Sequence, residues 1–92
     1  MKKYKSIIIV SNKIDNNARI EVLNDIKNFI NKNGELVNVE DLGEKKLAYI
    51  VRKHKSAYYY IIEFQIEKYL IGELEKIFRV KDEIIKYIIY QE

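Results

Sequence analysis

The stretch from Ala57 to Ile66, AYYYIIEFQI, decides the fold class, because its side chains alternate with the period of two that is typical of a β-strand. One face of this strand is entirely apolar and comprises Tyr58, Tyr60, Ile62, Phe64 and Ile66. The other face carries Tyr59 and Ile61. Aromatic and β-branched residues are enriched in strands. The stretch therefore predicts a strand that buries its first face and remains partly apolar on its second.

Three further segments have a strand pattern. Residues 4–10 are rich in β-branched residues and too short for an amphipathic helix, and residues 84–90 form a similar run. Residues 35–53 alternate as well, with Gly43 placed where a bulge or bend is expected. The polar residues 54–56 are predicted to form the hairpin connection into the strand that starts at Ala57.

Two segments are predicted to be helices. In the first, apolar residues recur at intervals of three and four, which indicates one buried face. These residues are Val22, Leu23, Ile26, Phe29 and Ile30. Any of residues 15–17 could cap its start, and Gly34 is expected to end it in the left-handed conformation. The second helix is predicted over roughly residues 68–78. Its buried residues are expected to be Leu70, Leu74, Ile77 and Phe78.

The order of these elements is β-α-β-β-α-β. Short connections and right-handed crossovers turn that order into an α+β, ferredoxin-like sandwich, with a four-stranded antiparallel sheet and both helices on one face. The 92 residues form a single domain, because compact domains usually contain 50–200 residues.

The sheet face without helices is predicted to be apolar rather than polar. Adjacent strands contribute side chains to one patch, which comprises Ile7, Ile9, Tyr59, Ile61, Ile88 and Tyr90. Lys5, Lys46 and Lys86 are expected at its edge. Large contiguous apolar patches usually mark interaction sites, so this face is predicted to bind a protein partner.

Residues that carry catalysis or bind metals are scarce. The chain has no Cys and a single His, which leaves no thiolate ligand and no second imidazole for a metal. His54 stands between two lysines and is expected in a solvated loop rather than as a base or ligand. The three glycines are isolated, so no glycine-rich loop can cradle a phosphate. Neither an enzyme nor a cofactor is predicted.

The longest unbroken apolar run, residues 7–10, is too short to cross a membrane, so no membrane partner is expected.

The charge permits an anionic partner without requiring one. The formal net charge is +3 and the sequence pI is near 9.0. Lysines gather at residues 2–3 and 45–46 and, with Arg52, at residues 52–55, and each group could contact phosphates. The RNA-recognition-motif domain has the same element order but stacks bases on aromatic residues of its central strands. Here Ile7 and Ile61 lie on that face, so a protein partner suits it better than stacked bases.

Residues 42–49, Leu-Gly-Glu-Lys-Lys-Leu-Ala-Tyr, resemble the Gly-basic-basic-Leu-Ala-Tyr signature of the bacterial small-subunit ribosomal protein six family. Other segments that resemble this family are Met1–Tyr4, Asn33-Gly34, Val39–Asp41, Tyr58-Tyr59 and Asp82–Tyr87. Two positions depart from its pattern. Ile50 stands where the family often has Pro, and Ala57 stands where it usually has Gly.

The resemblance implies a structural component of the small ribosomal subunit. It implies binding to the central domain of the small-subunit ribosomal RNA, together with small-subunit ribosomal protein eighteen on the open sheet face. The RNA or interface candidates that it implies are Lys2, Lys3, Tyr4, Lys45, Lys46, Lys53 and Lys86. The isolated chain is expected to be a monomer. Nothing resembling a transit peptide precedes Tyr4, which favours a cytoplasmic ribosome.

A function from another class remains open. A regulatory ferredoxin-like module could homodimerise through the same sheet and bind a small metabolite. A tight homodimer in light scattering would favour that module, and a monomer would favour the ribosomal function.

Among the eight tyrosines, four are expected to pack in the core or along strands. These are Tyr49, Tyr58, Tyr60 and Tyr87.

Overall fold

A computed structural model describes all 92 residues and contains four strands and two α-helices. In chain order, the elements are β1 (Lys2–Ser11), α1 (Asn16–Asn33), β2 (Gly34–Val51), β3 (His54–Ile66), a 3₁₀ turn (Lys68–Leu70), α2 (Ile71–Val80) and β4 (Ile84–Gln91). The second helix therefore begins three residues later than predicted, because residues 68–70 form the tighter turn. No helix is long and apolar enough to cross a lipid bilayer.

The four strands form one antiparallel sheet in the order β2-β3-β1-β4. Strand β1 lies in the interior of the sheet and pairs with β3 on one side and β4 on the other, so that Ile7 lies opposite both Ile61 and Ile88. This order and the β-α-β-β-α-β succession confirm the predicted ferredoxin-like sandwich.

The main core lies between the sheet and the two helices. Strands β1 and β3 contribute many of its large side chains, among them Ile8, Tyr60 and Phe64, all nearly inaccessible to solvent. The helices contribute residues on one face each, chiefly Ile26 from α1 and Phe78 from α2. Burial of such side chains stabilises the fold by about 1.5–3 kcal/mol each.

Both ends of α1 have a specific physical cause. The Asp15 carboxylate accepts a hydrogen bond from the Ala18 N–H at 2.8 Å, which makes Asp15 the N-cap among the three candidates. At the other end, Gly34 has φ −171°, so the predicted left-handed conformation is wrong. Glycine is needed there because a Cβ atom would overlap the backbone oxygen of Gln65 and the side chain of Ile66. The chain passes directly from the helix into β2 at this close approach.

The hairpin between β2 and β3 extends beyond the rest of the sheet. Strand β1 pairs with β3 only as far as Ala57, which lies opposite Lys45, so residues 46–56 of the hairpin extend past the end of β1. We call residues 46–56 the arm. Gly43 precedes it at φ +76°, within a register shift, which confirms the predicted bulge. The turn itself consists of Arg52 and Lys53, so the predicted connection at residues 54–56 is wrong and these residues begin β3.

Replacing Gly34 by Ala should destabilise the domain by about 1–3 kcal/mol, because the added methyl group meets backbone that cannot move without disturbing β3. Urea denaturation followed by circular dichroism measures the change. Gly72→Ala is the matched control, because nothing lies within 4 Å of its added Cβ atom. That variant should be neutral or up to about 1 kcal/mol more stable. Equal stability of the two variants would contradict the steric explanation.

Candidate protein- and RNA-binding surfaces

The side of the sheet without helices carries all six residues of the predicted apolar patch. Cross-strand partners project to the same face. Ile7 is paired with Ile61 and Ile88, Ile9 is paired with Tyr59, and Tyr90 lies opposite Lys5 on the same side. Ile88 remains 50% exposed. The register therefore places the six side chains on one continuous surface.

The arm covers one end of this surface. Ile9 is only 8% exposed and packs with Ala57 and Ile85 in a second, smaller apolar cluster. Leu47 and Val51 of the arm pack against the same cluster. Ile9 therefore contacts the chain's own arm and offers almost no surface to a partner. We call the residues that remain accessible the sheet patch: Ile7, Tyr59, Ile61, Ile88 and Tyr90.

Charges of opposite sign flank the sheet patch. On the β2 side, Glu40 lies opposite Ile61, and Glu63 follows on β3. On the β4 side, Lys86 lies opposite Ile9. Lys46 is opposite Ser56, whereas its neighbour Lys45 is opposite Ala57. The register therefore puts Lys45 on the open face and Lys46 on the other side of the ribbon, so Lys46 does not edge the patch as predicted.

Tyr4 is a core residue and not a surface contact. Its side chain is 5% exposed and stacks on Phe64 with ring centroids 5.7 Å apart. Its hydroxyl is buried without a hydrogen-bond partner. The prediction of Tyr4 as an RNA or interface candidate is therefore wrong, because its position in β1 has the parity that faces the helices.

The six candidate lysines are all exposed, but they form two groups. Lys2 and Lys3 lie at one end of β1, where Lys3 pairs with Gln65 of β3. Lys45 pairs with Ala57, eight residues away along β3, which corresponds to roughly 27 Å. Lys46 and Lys53 are on the arm, and Lys86 is at the same end of the sheet. The structure does not bring all six together.

His54 is buried rather than solvated, and its side chain is part of the turn. The imidazole Nδ1 lies 2.9 Å from the Arg52 carbonyl oxygen and 3.2 Å from the Val51 carbonyl oxygen. Because carbonyl oxygens only accept hydrogen bonds, Nδ1 carries the proton. The Ser11 hydroxyl then donates to Nε2 over 2.6 Å, and its oxygen accepts from the Lys13 N–H at 3.0 Å. The ring therefore joins the arm to the end of β1.

Replacing His54 by Ala should destabilise the domain by about 1–3 kcal/mol, because the turn carbonyls and the Ser11 hydroxyl lose their buried partner. Urea denaturation measures this loss, and hydrogen exchange should accelerate most at the amides of the arm. Lys55→Ala, at the exposed neighbouring position, is the control and should stay within about 0.5 kcal/mol of the unsubstituted chain. The same loss in both variants would contradict the role of the imidazole.

The four tyrosines expected to pack do not behave alike. Tyr60 is fully buried, and this burial raises the pKa of its hydroxyl, while the nearby Arg19 guanidinium partly lowers that pKa. Arg19 also lies over the half-buried Tyr58 ring, 3.8 Å from its centroid. Tyr87 packs edge-on against Phe78. Tyr49 is 82% exposed on the arm, so the prediction that it packs is wrong.

One grouping of cations is not predicted by the sequence, although Lys86 and the basic run around Arg52 are. Arg52 of the turn, Arg79 near the end of α2 and Lys86 of β4 line one concavity of about 400 Å³. Arg52 belongs to a basic run that the sequence shows, but Arg79 lies far from that run in sequence, on α2. No local sequence pattern connects Arg52, Arg79 and Lys86. They lie together only because the folded arm places Arg52 next to α2 and β4.

The fold and the uncovered face thus define a ferredoxin-like domain with a free apolar patch and exposed cations at two ends. The family model described as "Ribosomal protein S6" matches residues 3–91. A small ribosomal subunit protein bS6 from Clostridium perfringens is 36% identical over 93 aligned positions, covering 100% of this chain and 98% of that protein. A bS6 protein from Thermoanaerobacter pseudethanolicus is 30% identical, with 97% and 95% covered.

A solved structure agrees with these sequence matches. The crystal structure of 30S ribosomal protein S6 from Thermotoga maritima superposes with a TM-score of 0.93 and 27% identity, covering 99% of this chain and 87% of that one. The chain belongs to the ribosomal protein S6 family and is a protein of the small subunit of the cytoplasmic ribosome. The predicted family is therefore confirmed.

Proposed function

We propose that this chain is a structural, non-catalytic protein that binds the central domain of the small-subunit ribosomal RNA together with small-subunit ribosomal protein eighteen. The observation that carries the proposal is the sheet patch, which the domain's own helices leave uncovered. Family membership supplies the ribosomal setting. The exposed lysines supply the groups that RNA phosphates require.

The chemistry of the sheet patch suits a protein with basic residues near an apolar contact. Three neighbouring strands supply its apolar side chains, including the well-exposed Ile88 and Tyr90. Glu40 lies beside them and would favour a basic residue on the partner at that edge, whereas Glu63 already lies opposite Lys5. A ribosomal protein that itself binds RNA has such residues. Protein eighteen, docked on this face, would extend the RNA-binding surface beyond this chain.

The charge of the chain supports RNA binding as a joint activity. A net charge of +3 gives little electrostatic attraction to a polyanion. The proposed phosphate contacts are Lys2 and Lys3 at one end and Lys45, Lys46, Lys53 and Lys86 towards the other. Such contacts set affinity and orientation without reading base identity. Tight binding therefore requires the partner's contribution.

Ile88→Asp should weaken binding of protein eighteen at least tenfold, because it places a carboxylate within an apolar contact, next to Ile7. Isothermal titration calorimetry with the purified partner measures the affinity. Ile20→Asp is the matched control, since Ile20 is 53% exposed on α1, remote from this face, and should leave the affinity unchanged. Both variants should keep the circular dichroism spectrum of the unsubstituted chain. Equal affinity of the two variants would refute the assignment of the sheet patch.

The isolated chain should be a monomer and should bind a central-domain transcript only weakly at about 0.15 M salt. Addition of protein eighteen should increase the affinity for this transcript at least tenfold. Light scattering and fluorescence anisotropy measure the two properties. A tight homodimer that uses the sheet patch would instead support the regulatory module. Tight RNA binding by the chain alone would contradict the cooperative mechanism.

A further inference from the structure

The concavity lined by Arg52, Arg79 and Lys86 has the composition of an anion site. Its remaining lining residues are Phe78, Ile84, Ile85 and Tyr87, and no carboxylate is among them. Neither Arg52 nor Lys86 forms a salt bridge. Arg79 pairs with Glu75 at 3.6 Å, but both side chains are substantially exposed, so this pair is weak. Three cations from three separate elements thus line one concavity, and little negative charge nearby neutralises them.

The position of Arg52 is fixed by the fold rather than by chance. Val51 is anchored in the small apolar cluster with Ile9 and Ile85. On the other side of the turn, His54 contacts the Arg52 carbonyl oxygen, and the Lys13 ammonium donates to the Lys53 carbonyl oxygen at 3.2 Å. The turn is therefore held at both of its ends and at both of its central residues.

The backbone of the turn is strained at two non-glycine residues, and both of them are cationic. Arg52 and Lys53 have φ values of 47° and 65°, in the left-handed region that Gly and Asn adopt most readily. Non-glycine residues in this region are disfavoured by about 1 kcal/mol or more each. Strain of this kind is retained mainly where a side chain has a role in binding. Here it presents two positive groups at the tip of the arm.

We infer that Arg52, Arg79 and Lys86 form a phosphate-binding site for the sugar-phosphate backbone of RNA, an inference that rests on the proposed function. Arginine can bind a phosphate through two parallel hydrogen bonds, and lysine adds a point charge. A concavity of about 400 Å³ has room for a phosphate and its ribose. Lys86 also lies beside the open sheet face, so RNA bound here runs next to the docked protein partner.

The main test compares two triple variants of the full chain, each bound to protein eighteen, in anisotropy titrations with a central-domain transcript. Arg52→Gln/Arg79→Gln/Lys86→Gln should weaken binding about tenfold or more and should lower the slope of log affinity against log salt by about 0.7–0.9 for each phosphate that the variant no longer neutralises. Lys27→Gln/Lys32→Gln/Lys68→Gln removes the same charge from other surfaces and should have a markedly smaller effect. Equal effects of the two triple variants would overturn the site.

A second measurement separates the site from the proposed function. Tripolyphosphate is titrated into the ¹⁵N-labelled chain, and the amide shifts of residues 52, 79 and 86 are followed. Shifts at these residues that disappear in the Arg52→Gln/Arg79→Gln/Lys86→Gln variant support the site. Absence of such shifts overturns it, whether or not the complex binds RNA. If the shifts occur but the complex with protein eighteen does not bind the transcript, the proposed function fails. The anion is then a free phosphorylated molecule, and the assignment to RNA is overturned.

Discussion

The antiparallel pairing of β1 with both β3 and β4 is the constraint on which the other features depend. Because β1 lies inside the sheet, its two faces have opposite roles: Ile8 packs beneath the helices, while Ile7 points to the open side. The hydroxyl of the buried Ser6 donates to the Ile88 carbonyl oxygen at 2.9 Å and reinforces the contact with β4. Two helices can cover only one side of this sheet. The other side is left with apolar side chains that the helices do not cover.

The arm divides that open side into two regions with different properties. Leu47 and Val51 cover Ile9, so the domain itself buries the end of the surface nearest the turn. The remaining surface around Ile88 is free for another protein. The same hairpin places Arg52 in the concavity that Lys86 also lines. One hairpin thereby places the sheet patch, the proposed protein contact, next to the three cations that we propose bind RNA.

The periodicity of the sequence was sufficient for the element order and for the open-face residues, because a period of two or of about 3.6 is a local property. Tyr4 is a candidate only through the family resemblance, and its parity in β1 is opposite to that of Ile7 and Ile9, which places its side chain in the core. The lysines on both sides of His54 predict a solvated position, whereas the environment of the ring comes from Ser11 and the turn carbonyls. Gly34 was correctly given a special role, but the reason is a contact with β3. Each of these features depends on residues distant in sequence.

The pairing of β1 with β4 also has a consequence for the order in which the domain forms. β1 precedes every other element and β4 follows every other element, so one edge of β1 has no partner until residues 84–91 have been synthesised. The four-stranded sheet therefore stays incomplete until the last strand has been synthesised. Contacts between residues so far apart in sequence slow folding. The chain contains no proline, so prolyl isomerisation adds no slow step. Among the strand pairings of the sheet, that of β4 with β1 closes the longest loop of chain and carries the largest loss of chain entropy.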